Sequence, residues 1–369
     1  MSKKNIHFLD LKHQHKSFKK EIMKAIEEVV DSSQFILGSY VKKFEEEFKK
    51  VCGSKYVLGL NSCTDALFLS LKALGISPGD EIITPVYTFV ATVDVIIRAG
   101  AKPVFVDINV DSFNIDIKKI EEAITKRTKA IIPVHLYGLS ADMKPIMKIA
   151  KKYNLYVIED CAQSILAKYN GKFCGTIGIT GGFSFYPTKN LGAMGDGGVL
   201  ITDNDDVANL VYKYRDHGKS EGYYFDVIGY NSRLDAIQAA ILKIKLKHLK
   251  DWVDGRIRNA HLYNKLFKGT SIKTPIESGK YSHVYNLYTI QVEKRDELKE
   301  YLSKKGIQTA IYYPIGNHLQ KCFSYLGYKD GDFPVCEKIT KKVLSLPVYN
   351  GLKKDEIEYI TKTILKFYK

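Results

Sequence analysis

Residues 55–74 read KYVLGLNSCTDALFLSLKAL. The first six, KYVLGL, are an apolar run of strand length. From Thr64 onward, Ala66, Leu67, Leu69, Leu71 and Leu74 follow the pattern of a mostly buried helix. The same pairing recurs downstream. EIITP (81–85) leads into FVATVDVIIRAG (89–100), a helix ended by glycine. KPVFVD (102–107), KAIIPVHL (129–136) and LYVIED (155–160) are further apolar strands, separated by helical patterns at 117–125 and 142–153. Continuous apolar strands alternating with helices predict an α/β fold whose mostly parallel sheet is covered on both faces.

After Gly198 the pattern changes. GGVLITD is strand-like, 204–216 is helical, and one long helix is predicted from Ser232 through Leu266. The last third, with YNLYTIQV, RDELKEYLSKKG and DEIEYITKTILKFY, predicts a smaller α+β domain. The expected division is a large domain over 1–250 and a small C-terminal domain over 251–369. There are no internal repeats and no low-complexity tract.

The 369 residues are 45% hydrophobic and 26% charged, as in ordinary globular proteins. No apolar run approaches the ~20 residues of a membrane span. The opening MSKKNIHFLDLKHQHKSFKK lacks the apolar core of a signal peptide, so a cytoplasmic protein is expected. The six cysteines show neither C-x-x-C pairs nor zinc-ligand spacing, which predicts reduced thiols and no metal, with Cys161 in the core. The net charge of +15 raises a non-enzymatic, nucleic-acid-binding regulator as an alternative. The lysines are scattered, however, and the densest stretch, LKIKLKHLK (242–250), reads as a solvated side of the long helix. No nucleic-acid-binding signature is present, and the dispersed charge suits a small anionic substrate better.

In parallel α/β sheets, ligands bind outside the carboxyl ends of the strands. Three polar features fall there. In LNSCTDAL, Ser62 or Thr64 can cap the helix, whose free N–H groups suit a phosphate, or serve as a plain cap. In VIEDCAQS, Asp160 ends a strand, either as its terminator or as a functional carboxylate. In FSFYPTKNLGAMGDGG (183–198), Ser184 and Lys189 lie between an aromatic run and four glycines. Lys189 alone would read as one more surface lysine. Together the three describe what pyridoxal phosphate needs: a Schiff-base lysine, an acid for the pyridinium nitrogen, and donors for the phosphate.

The motifs NSCTDAL, PVYTFVATV, IIPVHLYG, IEDCAQS, FSFYPTKNLGAMGDGG and GYNSRLDAIQAA resemble those of the DegT/DnrJ family of sugar aminotransferases. The resemblance runs from FLDL (8–11) to LSLPVYNGL (344–352), nearly the whole chain. It implies a fold-type I enzyme with a seven-stranded, mostly parallel sheet between helices. It further implies pyridoxal phosphate as cofactor, with the pyridoxamine form as intermediate. Lys189 would form the Schiff base and move protons, Asp160 would pair with the ring nitrogen, and Gln163 would contact the ring hydroxyl. Phe89 would stack on the ring; read alone, it is a core aromatic. Thr64, the neighbouring amides and Ser184 would hold the phosphate. Asn231 would reach the cofactor phosphate of a neighbouring subunit, so a homodimer with shared sites is implied.

Two positions depart from the family pattern. Cys63 stands where glycine is usual, which puts the phosphate cradle's backbone in doubt and places a thiol where thiol reagents would act. Leu166 lies at or near another usual glycine. Gln163 and the opening FLDL resemble the branch that aminates C3. The expected reaction therefore moves an amino group from glutamate to C3 of a dTDP-linked 3-keto-6-deoxyhexose, giving the 3-amino-3,6-dideoxyhexose. A UDP-linked 3-keto sugar and a 4-keto nucleotide sugar are the alternatives. Tyr186, Lys219 and Tyr313 are candidates for substrate contacts; packing for the tyrosines and a solvated loop for Lys219 are the plainer readings. Lys189 argues against a related sugar dehydratase, which carries histidine there. No cysteine is an obvious desulfurase nucleophile.

Overall fold

A computed structural model describes residues 5–277, Gly279 and 281–369. Its strands, in chain order, are β1 (Tyr56–Leu60), β2 (Glu81–Pro85), β3 (Lys102–Val106), β4 (Thr128–Ile131) and β5 (Tyr156–Asp160). A small hairpin follows, β6 (Lys168–Tyr169) and β7 (Lys172–Phe173), then β8 (Thr180–Ser184) and β9 (Gly198–Thr202). The C-terminal pair is β10 (Tyr288–Gln291) and β11 (Val343–Leu346).

Seven strands form the main sheet in the order β1-β9-β8-β5-β4-β2-β3. Only β9 runs against its neighbours, pairing antiparallel with both β1 and β8. Successive residues point to opposite faces, and both faces are buried. Val57, Val199 and Ile201 enter one core with the helices Gly38–Cys52 and Ala236–Leu246. Ile83, Ile131 and Val157 extend that face under the helix Met143–Tyr153. Leu58, Leu200, Ile82, Ala130 and Ile158 enter the opposite core, beneath the helices Cys63–Ala73 and Asp205–Tyr214. This two-sided burial is why the strands read as continuous apolar runs.

The last third builds its own core. Antiparallel β10 and β11 pack with the helices Leu249–Phe267, Arg295–Lys304 and Lys354–Phe367 through Tyr263, Tyr288, Leu298, Leu344, Ile357 and Ile360. Ile6 joins this core and bridges Ile307, so the N-terminal segment crosses to the C-terminal elements.

The long helix predicted over 232–266 is two helices, Ala236–Leu246 and Leu249–Phe267. Residues before Ala236 stay extended because Ala236 N–H donates to Phe35 carbonyl at 2.9 Å. At the break, Lys247 and His248 donate to the carbonyls of Ile244 and Lys245, an i→i−3 pattern that tightens the turn. The His248 ring then joins Phe18 and Trp252 in a three-ring cluster, stacked on each. LKIKLKHLK is consequently not uniformly solvated. Lys245 is fully buried, its Nζ 3.2 Å from His15 Nε2, and burial pushes its amine down to about 8. Leu166 adopts φ 67°, a backbone state that favours glycine, which gives physical sense to the glycine expected near it. No helix among the described residues is long and apolar enough to cross a membrane.

One close approach holds β9 against the start of the helix Cys63–Ala73. A Cβ on Gly198 would lie 2.3 Å from the Ser62 carbonyl carbon. Gly198→Ala should destabilise the protein by about 2 kcal/mol or more, read as a lower denaturant midpoint.

Candidate active site

The carboxyl ends of β1, β2, β5 and β8 open into one cavity of about 530 Å³. At the end of β1, Ser62 is extended (φ −162°, ψ 163°) and its Oγ accepts the Asp65 N–H at 3.1 Å. Ser62, rather than Thr64, is therefore the cap. Thr64 lies at the cavity wall, its hydroxyl without a hydrogen-bond partner among the described residues, and the Cys63 and Thr64 amides have no acceptor within the helix. An anion at this helix start would meet those N–H groups and the positive end of the helix dipole. Cys63 does not disrupt the cap. Its thiol is buried, and burial pushes it well above the ordinary range, so it stays protonated and is a poor target for thiol reagents.

Asp160 ends β5 and is buried. Its Oδ2 accepts from Thr92 Oγ1 at 2.8 Å and its Oδ1 from the Ala162 N–H at 3.1 Å. Burial raises its pKa, opposed by those two hydrogen bonds and by Lys189. Gln163, three residues on, has its amide orientation fixed. Oε1 accepts the Tyr137 N–H at 2.7 Å, and Nε2 donates to Tyr313 Oη at 3.1 Å. With the oxygen turned to the backbone, the amide offers the cavity side only its N–H donors.

Lys189 sits on the loop after β8. Ser184 Oγ accepts the Tyr186 N–H at 3.3 Å, and the Lys189 N–H donates to the Tyr186 carbonyl at 2.9 Å. Ala193 N–H returns to the Phe185 carbonyl at 2.7 Å, and Asn190 Nδ2 anchors the loop to the Val284 carbonyl at 3.1 Å. Gly192 is required for this closure, since a Cβ there would lie 2.2 Å from the Pro187 oxygen. The glycine therefore acts through close backbone approach. Lys189 lines the cavity without a hydrogen-bond partner among the described residues. Burial lowers its pKa, with Cys63 and Asp160 opposing, so more of it is the free, nucleophilic amine than in an exposed lysine.

Thr64, Phe89, Asp160, Gln163, Ser184, Tyr186, Lys189 and Tyr313 thus meet at one cavity. Phe89 and Tyr186, 55% and 54% exposed, mark its open side, and Phe89 is not the core aromatic that its own sequence context suggests. Tyr313 packs 6.0 Å from Phe89, and Tyr87 Oη accepts its N–H at 2.6 Å. Lys219 and Asn231 lie outside this cavity. Lys219 N–H donates to the Asp216 carbonyl at 3.1 Å, and exposed Asn231 bridges Asp216. The cavity also includes Thr92, which aims Asp160, and Arg256, buried in the helix Leu249–Phe267. Neither carries a signal in the sequence: a threonine in an apolar helix and an arginine in a basic one look ordinary.

His135, Glu159 and Cys161 place potential metal-ligating atoms within 4.8 Å of one another. Two of these side chains are already committed. His135 Nε2 pairs with Glu159 Oε2 at 2.9 Å and Nδ1 accepts the Ala141 N–H, while Glu159 also accepts the amides of Gly175, Ile177 and Gly178. Through Glu159, these bonds tie β5 to His135 and to residues 175–178.

A sheet with one reversed strand, with a lysine and a buried aspartate lining the cavity at its carboxyl edge, is the arrangement of the fold-type I aminotransferases. Residues 16–365 match the DegT/DnrJ/EryC1/StrS aminotransferase family, and the chain belongs to it. It is 49% identical, over 99% of both chains, to the Pleiotropic regulatory protein of Geobacillus stearothermophilus. It is 44% identical, over 97% of both, to the UDP-N-acetyl-3-dehydro-alpha-D-glucosamine 3-aminotransferase of Acidithiobacillus ferrooxidans. With the dTDP-3-amino-3,6-dideoxy-alpha-D-galactopyranose transaminase of Aneurinibacillus thermoaerophilus it shares 43%, over 98% of this chain and 99% of that one. Among solved structures, S. venezuelae DesV in complex with a ketimine intermediate superposes with a TM-score of 0.96 at 37% identity, covering 98% of both chains. NtdA from Bacillus subtilis with bound cofactor PMP has a TM-score of 0.91 at 34% identity, covering 98% of this chain and 85% of that one.

The raised pKa of Asp160 makes a prediction with a definite sign. The cofactor-free folded state holds this proton more tightly than the unfolded chain, so stability is fully present below the ordinary carboxyl value and is lost as pH rises through the folded one. Asn at this position keeps an acceptor for Ala162 and a donor toward Thr92. Asp160→Asn should therefore raise the melting temperature of cofactor-free protein at pH 7, with the gain vanishing near pH 4, while transamination falls by about 10²-fold or more.

Proposed function

We propose that this protein transfers an amino group from glutamate to C3 of a dTDP-linked 3-keto-6-deoxyhexose, using pyridoxal phosphate. The observation that carries the reading is the meeting, in one cavity, of a half-buried lysine with no hydrogen-bond partner among the described residues, a buried strand-end carboxylate and an oriented amide. These residues fit the cofactor. Asp160, aimed by Thr92, would hold the ring nitrogen protonated. Gln163 would donate Nε2–H to the ring hydroxyl. Ser184, Thr64 and the amides at the helix start would bind the phosphate, with Phe89 covering the ring at the open side. When bound, the cofactor supplies a carbonyl for amine exchange and a ring that accepts electrons. Lys189 Nζ would hold the cofactor between turnovers and would carry the proton to and from the substrate carbon.

Relatives support the position of amination. Two of those named above carry 3-amino or 3-aminotransferase names, one for a dTDP sugar and one for a UDP sugar. C3 is therefore the better-supported position, and a UDP-linked 3-keto sugar is the second reading. Tyr186, Tyr313 and Lys219 are proposed to contact the sugar or its diphosphate. Asn231, outside its own cavity, is proposed to serve the neighbouring subunit's site in a cytoplasmic homodimer. Residues 1–250 would form the cofactor domain and 251–369 the small domain. The regulatory name of the Geobacillus relative describes no chemistry, whereas the cavity residues of this chain do.

Two experiments test this. Comparison of kcat/KM for dTDP-3-keto, UDP-3-keto and dTDP-4-keto sugars should favour the first by about tenfold or more, in line with the discrimination that hydrogen-bonding sites achieve. Lys189→Ala and Asn231→Ala should each be inactive, and mixing the two with subunit exchange should restore activity, because heterodimers contain sites with neither defect.

A further inference from the structure

Arg256 is 7% exposed and lines the active-site cavity. Gly255 lets its helix approach closely, since a Cβ there would lie 2.1 Å from Asn350 Oδ1. Other buried arginines of this chain have acid partners. Arg215, 4% exposed, meets Glu45 at 2.6 Å, and Arg295, 7% exposed, meets Asp296 at 2.6 Å. Among the described residues, Arg256 has none. Its Nη1 donates to the carbonyls of Tyr285 and Asn286, both at 3.2 Å. Among the described residues Nε and Nη2 meet no protein acceptor, yet neither is sealed off as a buried unpartnered atom. A guanidinium has two flat edges that match a carboxylate. With Nη1 committed to the backbone, the Nε/Nη2 edge remains for a bidentate anion. Burial lowers the pKa of Arg256 to about 10, which leaves it charged at neutral pH. A buried charge without a counter-ion is costly unless something supplies one.

We propose that Arg256 binds the α-carboxylate of the amino donor through its Nε/Nη2 edge. This rests on the aminotransferase reading and names a residue for its first substrate. The amino acid and the nucleotide sugar use the same cavity in turn. The sugar nucleotide is long and must extend past the open side marked by Phe89 and Tyr186. A compact amino acid can enter fully and present its carboxylate to a group as enclosed as Arg256. The α-carboxylate is the anion adjacent to the reacting amine, so a fixed guanidinium in the cavity wall also orients that amine.

The test uses the cofactor-loaded protein, Arg256→Gln and Arg256→Lys. The two half-reactions are followed separately by the change in cofactor absorbance in single turnovers. Glutarate, which carries carboxylates but no amine, is titrated by calorimetry. In Arg256→Gln, half-saturation by glutamate should rise at least about tenfold and glutarate binding should weaken in parallel. Half-saturation by the nucleotide sugar should stay within about twofold. Arg256→Lys, which keeps a cation and a donor for the Tyr285 and Asn286 carbonyls, should restore folding and part of the affinity. Unchanged glutarate and glutamate affinity in a folded variant would overturn the proposal. Equal losses for glutamate and nucleotide sugar would also overturn it, by assigning the guanidinium to the diphosphate or to the fold. If wild type exchanges no amine with any donor, the aminotransferase reading fails, while glutarate binding still reports on the anion site.

Discussion

A carboxylate buried at the end of β5 sets the terms for this site. Asp160 is costly to enclose, and its surroundings offset only part of that cost with two hydrogen bonds. Much else follows from keeping it there. Thr92 must present a hydroxyl from the helix Ala91–Arg98, which follows β2, and is itself steadied by Thr88. The sheet must be parallel at this point, so that β2, β5 and β8 end on one edge. Lys189 must come round from β8 on a loop whose backbone closes through Gly192. The result is a site whose charges are poorly satisfied by the protein alone and well satisfied by a ligand with a cationic ring and an anionic tail.

The same logic extends around the cavity. A helix start with free amides and the guanidinium of Arg256 both line this cavity, and each suits an anion. Gln163 is turned by the Tyr137 amide so that its donor, not its acceptor, is available. Binding energy is thereby prepaid in positions that the fold holds rigidly, chiefly strand ends and helix starts. The exposed aromatics at the open side are the exception, and they are where substrate contacts are proposed.

Much of this was legible in the sequence, for identifiable reasons. Strands buried on both faces leave continuous apolar runs, so β1 to β5 and the helices between them could be read directly. Ser62, Asp160 and Lys189 were legible because they fall where apolar runs stop. Other features were hidden. The break at Lys247–His248 depends on Phe18 and Trp252, residues remote from it in sequence or a turn away, and has no proline or glycine to announce it. The burial of Lys245 could not be inferred from a lysine that alternates with apolar residues. Thr92 and Arg256 acquire meaning only from what folding places beside them. Asn231 shows the converse: its role was implied by resemblance, and one chain alone leaves it away from its own cavity.

The central claim is that Lys189, among 56 basic residues, is the one that holds the cofactor. Purified protein loaded with pyridoxal phosphate should be reduced with borohydride, digested and mapped by mass spectrometry. The account predicts one phosphopyridoxyl group per chain, on the peptide containing Lys189. Label on a different lysine, or no stable label at saturating cofactor, would contradict it.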